Sequence, residues 1–182
     1  MDIFMRIVMP ASSDLQVTGP VTERARAFAL SELFQRTFRE GMGLVEETAT
    51  YLDGPGRNES RDLPRRAALA YAGESMRLTT RLMQVASWLL VQRALANGEM
   101  SPGEAANDKY RLGAKEVCRG RRLEAAELLP ARLVNLLERS EQLYERIDRL
   151  DQSIYVEEPA AGEVHGARAQ LSALEAMLAN PR

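Results

Sequence analysis

The chain has 182 residues, of which 45% are hydrophobic and 27% charged, and its net charge is −2. That is long enough for one domain with a real core, and the near-balanced charge leaves no whole-chain field to steer nucleic acid or an acidic membrane. A single cysteine, Cys118, permits no internal disulfide and fits a reducing, cytoplasmic compartment, while the lack of an apolar run of about 18 residues excludes a transmembrane helix.

Aromatics are only 5%, and Ala, Leu, Glu and Arg abound, a bias toward helix over sheet. Residues 1–20 carry Pro10, Ser12, Ser13, Gly19 and Pro20 and read as a loose N-terminal arm. Its start, "MDIFMRIVMP", is apolar but too short for a signal segment with a cleavage site. Thr22 fits an N-cap, and Phe28, Phe34, Phe38, Met42, Val45, Ala49 and Leu52 follow at helical spacing. "DGPGR" at 53–57 ends that first helix, with Gly54 free to take a positive φ.

Pro64 suits the first turn of a second helix running to Asn97, with Gly98 as its stop. This helix carries two apolar rows, Leu69–Met76–Met83–Leu90 and Leu78–Leu82–Val85–Leu89, a face wide enough for two partners. It is therefore expected between two other helices, with both rows in the core. Gly41, Gly43 and Gly73 lie inside the two helices, where close backbone approach would offset their cost. "SPGE" at 101–104 is a capping box that starts a short helix. Pro130 starts or kinks a third long helix, whose Leu133, Leu136, Ser140, Leu143, Ile147, Leu150 and Ile154 keep a heptad-like seam. "VEEPAAGEVHG" at 156–166 reads as a linker, and Leu171, Leu174 and Leu178 mark a short amphipathic helix in the tail. The expectation is an all-α protein: an antiparallel up-down-up three-helix bundle over residues 21–155, with flexible termini at 1–20 and 156–182.

Chemistry is sparse. His165 is the only histidine and falls in the linker, which leaves no His-based dyad or metal site. Glu46 and Glu47 form either a carboxylate pair or part of a solvated helix face. Cys118 has Lys115, Arg119 and Arg121 as neighbours that would lower its pKa; the other reading is a small buried thiol. No phosphate loop, zinc spacing or nucleophile elbow is present. No cofactor or metal is expected, and no enzyme activity.

The basic stretch "KYRLGAKEVCRGRR" at 109–122 holds six Lys/Arg against one Glu. Nucleic acid would want stacking aromatics on such a face, and only Tyr110 is there. An acidic protein partner met through Arg119, Arg121 and Arg122 is one reading, a nucleic-acid contact a second, and a solvated connector a third. Trp88, the only tryptophan, falls in a polar row with Arg77, Arg81, Gln84 and Gln92. It either folds sideways over the edge of the core or anchors a partner or second subunit. The anchoring reading leaves Trp88 partly exposed on the free subunit.

"FREGMGLVEETATYLDGPGR", "LPRRAALAYAGESMRLTTRLMQVASWLLVQRAL" and "KYRLGAKEVC" resemble the RcdA family, the regulators of CtrA degradation, across roughly residues 25–155. The resemblance implies a dimeric three-helix bundle without catalytic activity. It implies an adaptor that, with a response-regulator-type partner such as CpdR, connects transcription-regulator cargo to the ClpXP protease. It implies a cytoplasmic protein recruited to a cell pole. The family offers no catalytic motif to carry over.

Overall fold

The computed structural model describes residues 20–120 and 126–155. Among the described residues the chain is all-α. Seven α-helices follow in order: α1 (Pro20–Ala29), α2 (Glu32–Asp53), α3 (Pro55–Arg61), α4 (Arg65–Ala96), α5 (Pro102–Ala105), α6 (Lys115–Cys118) and α7 (Ala131–Tyr155). Two 3-10 turns, Asp108–Tyr110 and Ala126–Leu128, lie in the connection before α7. No helix among them is long and apolar enough to cross a membrane. Of the expected arm and tail, all but Pro20 lies outside the described residues.

Local chemistry sets the boundaries. The single first helix expected over 22–53 is two helices, because Ser31 caps the second. Its Oγ accepts from Phe34 N at 3.1 Å and donates to Phe28 O at 2.6 Å, which competes with helix continuation. Gly54 does stop α2, but with φ −111° rather than a positive value, and Pro55 at once begins α3. α4 ends as its sequence suggests: Gly98 has φ 74°, Gly98 N reaches Leu95 O at 3.2 Å and Glu99 N reaches Ala94 O at 2.9 Å. These two bonds form a Schellman motif, which a left-handed glycine allows. Ser101 and Glu104 form the expected capping box.

The three long helices pack around a core that includes Phe34, Leu44, Leu78, Val85, Leu89, Leu133, Leu136, Leu143 and Ile147. The heptad seam of α7 lies inside this core, apart from a half-buried Leu150. At Gly41 the side chains of α4 press close on α2, since a Cβ there would stand 2.5 Å from Leu89 Cδ1. Gly43 has open space instead.

Cross-helix pairs fix the directions. Arg139 meets Glu47 at 2.7 Å and Arg146 meets Glu40 at 2.5 Å, so α2 and α7 are antiparallel. Arg81 bonds Ser140, Trp88 bonds Asp151 and Gln92 bonds Tyr155, each at 2.8 Å, so residue numbers rise together along α4 and α7. The expected up-down-up path is therefore corrected: α4 and α7 run parallel. Parallel neighbours need a crossover, and residues 97–130 supply it. Its stretch from Arg111 to Cys118 runs back along α4 and α7, passing Asp151 with Arg111, Gln84 with Gly113, and Arg81 with Cys118.

Candidate functional site

Two faces of α4 matter, and their roles are the reverse of what hydropathy suggests. The polar row faces inward. Arg81 is fully buried; its Nε and Nη2 donate to the Cys118 carbonyl at 3.1 and 2.8 Å, and Nη1 donates to Ser140 Oγ at 2.8 Å. Glu141 lies 3.3 Å from the same guanidinium, whose pKa burial lowers. Gln84 Oε1 accepts from Gly113 N at 3.1 Å, and Tyr144 Oη donates to Gly113 O at 2.8 Å, so one glycine is held from both helices. Arg77 pairs with the buried Glu74 at 3.0 Å.

Trp88 is 1% exposed. Its ring packs on Phe28 of α1 at 5.7 Å, and its Nε1 donates to Asp151 Oδ1 at 2.8 Å. The partial exposure expected of Trp88 is thus corrected, and Arg81 of the same polar row is buried with it. Both were placed by hydropathy on a solvent face. In the fold, buried carboxylates and carbonyls satisfy their donors, and a buried polar group needs such partners.

The connector's cations are also engaged. Arg111 Nε and Nη2 grip Asp151 at 2.8 and 2.7 Å, and its guanidinium stacks over Tyr155. Lys115 lies 3.2 Å from Asp148 Oδ1, and Arg119 bonds Asp148 Oδ2. Asp148 and Asp151 are buried on α7, so the connector supplies the opposite charge that lets two carboxylates sit there. Arg119 keeps a half-exposed side chain. Arg121 and Arg122 lie outside the described residues.

Cys118 is buried, and burial pushes its thiol up rather than down, with Tyr144 and Arg81 only moderating the effect. A thiol in that state is a poor nucleophile. Among the described residues no group of three His, Cys, Asp or Glu side chains is placed to hold a metal ion.

The second face carries the apolar row. Leu69, Met76, Met83 and Leu90 were expected in the core; they are 68%, 73%, 65% and 54% exposed. The other exposed positions between Arg66 and Arg93 are Ala72, Thr79 and Ser87. This stripe is uncharged over six turns of helix, about 32 Å. Large residues repeat every seven positions, with small Gly73, Thr80, Ser87 and Ala94 four residues after each. That alternation sets large side chains beside small ones, the pattern that helix seams use, and it leaves a contiguous apolar stripe on the surface of α4.

The spacing of the stripe was legible in the sequence, but its exposure was not, since a second buried row on the same helix made both look like core. What distinguishes the two is the charge-free surroundings of the outer row.

Comparison with known proteins gives the chain a context. A family model described as a protein of unknown function (DUF1465) matches residues 25–178. The crystal structure of RcdA from Caulobacter crescentus CB15 is 59% identical, with a TM-score of 0.61; the match covers 73% of this chain and 99% of that one. No curated protein matches.

Proposed function

This chain belongs to the RcdA family, and from that membership we propose that it is a non-enzymatic adaptor that helps deliver cell-cycle regulators to the ClpXP protease. The observation that carries the reading is the uncharged stripe of Leu69, Met76, Met83 and Leu90 on a fold 59% identical to RcdA. An adaptor needs a rigid body that displays apolar surface, and burial of such surface drives association. The buried polar row and the clamped connector supply the rigidity.

In this reading the stripe is also where two copies of the chain pair as a homodimer, since its repeat suits a second α4. The partners are the protease, a response-regulator-type adaptor of the CpdR kind, and transcription-regulator cargo. Arg119, Arg121 and Arg122 of the connector, with Arg77 and Gln84 at the edge of the polar row, meet the acidic partner. Trp88 and Arg81 act indirectly, by holding the connector in place. The protein works in the cytoplasm and is recruited to a cell pole. Binding of nucleic acid through 109–122 has less support, because Arg111 and Lys115 are paired with Asp151 and Asp148 and Tyr110 is the one aromatic in the stretch.

The test is a pull-down of the purified chain with ClpX, in the presence and absence of a CpdR-like regulator. Retention of the chain only when both are present supports the adaptor reading. No retention under any combination removes it.

A further inference from the structure

A second apolar surface lies away from the stripe, where the C-terminal end of α4 meets α1 and α5. Here a groove of about 360 Å³ is lined by Arg26 of α1, Leu30 just past its end, Leu95 at the end of α4, Met100 in the turn beyond it, and Pro102 of α5. Leu30 is 62% exposed at its edge, and Leu33 is exposed one turn further on. The function proposed above makes no use of it. Nor does it use the apolar "MDIFMRIVM" at residues 1–9, in which seven of nine residues are hydrophobic.

We infer that the groove is the docking site of this chain's own N-terminal segment, with Ile3, Phe4 and Ile7 covering Leu30 and Met100. Three observations point to it. The segment is tethered beside the groove: α1 begins at Pro20, Arg26 follows about 9 Å along the helix, and Leu30 lies just past its end at Ala29. The ten residues 10–19 span up to about 33–36 Å when extended, so residues 1–9 reach the groove in either chain direction. The tether also fixes a high local concentration, in the mM range for a short linker, so a weak apolar contact is enough to fill the site. The tail residues Leu171, Leu174 and Leu178 are the competing segment from this chain. Their helical spacing suits a long seam such as the α4 stripe better than a short groove.

The test uses the full chain with labelled methionine methyl groups. Met100 reports the groove, while Met76 and Met83 report the stripe. The variant Phe4→Asp/Ile7→Asp changes no described core residue, so it keeps the fold. The Met100 methyl resonance should move in this variant, Met76 and Met83 should stay, and a peptide of residues 1–10 added to the variant should restore the Met100 position. An unchanged Met100 resonance overturns the inference. So does a shift confined to Met76 and Met83, or a Met100 shift produced by removing 156–182 but not by Phe4→Asp/Ile7→Asp.

Discussion

Trp88 and Asp151, on parallel helices, share a 2.8 Å hydrogen bond from indole Nε1 to carboxylate Oδ1, and the same carboxylate receives Arg111 of the connector. One buried acid therefore ties α4, α7 and the returning chain together. Trp88→Ala should cost about 3–5 kcal/mol of stability, as large-to-small core changes do. Trp88→Phe keeps the ring stack on Phe28 but leaves Asp151 short of one donor, and should cost about 1–3 kcal/mol. Urea unfolding of both variants checks this. Equal, near-zero losses would show that the indole is not part of the core.

Arg81 is the second tie. Arg81→Met fills much of the same space but leaves the Cys118 carbonyl and Ser140 without their buried donor. The connector should then open more often. Hydrogen exchange of amides over 111–119 should quicken by an amount that corresponds to about 1–3 kcal/mol. Amides in the middle of α2 should change less. Unaltered exchange across the connector would mean that Arg81 does not hold it.

How much of this was legible in the sequence depended on where each residue's partner lies. The seam of α7 was readable because its periodicity is local. So were the capping box at Ser101 and the stop at Gly98, since each is decided within a few residues. The inward turn of Arg81 and Trp88 was not. Their partners, Ser140 and Asp151, lie 59 and 63 residues away, and a polar row on a helix reads as solvent-facing until those partners are known. The direction of α7 failed for a related reason. Short links favour antiparallel neighbours, but 97–130 is a crossover whose Arg111, Lys115 and Arg119 are matched to Asp148 and Asp151. The exposed stripe failed because one helix cannot say which of two apolar rows its own chain will cover.

Four buried tyrosines set an alkaline limit. Burial raises the pKa of Tyr51, Tyr71, Tyr144 and Tyr155 above the ordinary tyrosine value. In the unfolded chain they ionise near pH ~10. A group whose folded pKa is raised stabilises the fold fully below its unfolded pKa and loses that contribution as pH rises through the window up to the folded value. Stability should therefore be insensitive to these groups at neutral pH and fall steadily above pH ~10. Denaturant midpoints across that range check the sign, and a midpoint that rises there would contradict it.

The stripe should be separable from the fold. Met76→Glu/Met83→Glu places two charges on a face that is largely exposed on the subunit. Folding stability should stay within about 0.5 kcal/mol per substitution. Self-association at tens of micromolar, an order-of-magnitude range for a weak interface, should be lost. Sedimentation of both proteins decides it: a wild type that is monomeric throughout, or a double variant that still pairs, removes the α4 stripe as the dimer surface.

The most direct measurement of the adaptor reading is turnover in a reconstituted system of ClpXP, a CpdR-like regulator and a transcription-regulator cargo, with and without this chain. The account predicts that cargo is degraded quickly only when the chain is present, and that Trp88→Ala, by loosening the connector, slows that turnover. Cargo degraded at one rate whether the chain is present or absent, across the cell-cycle regulators tried, would contradict it.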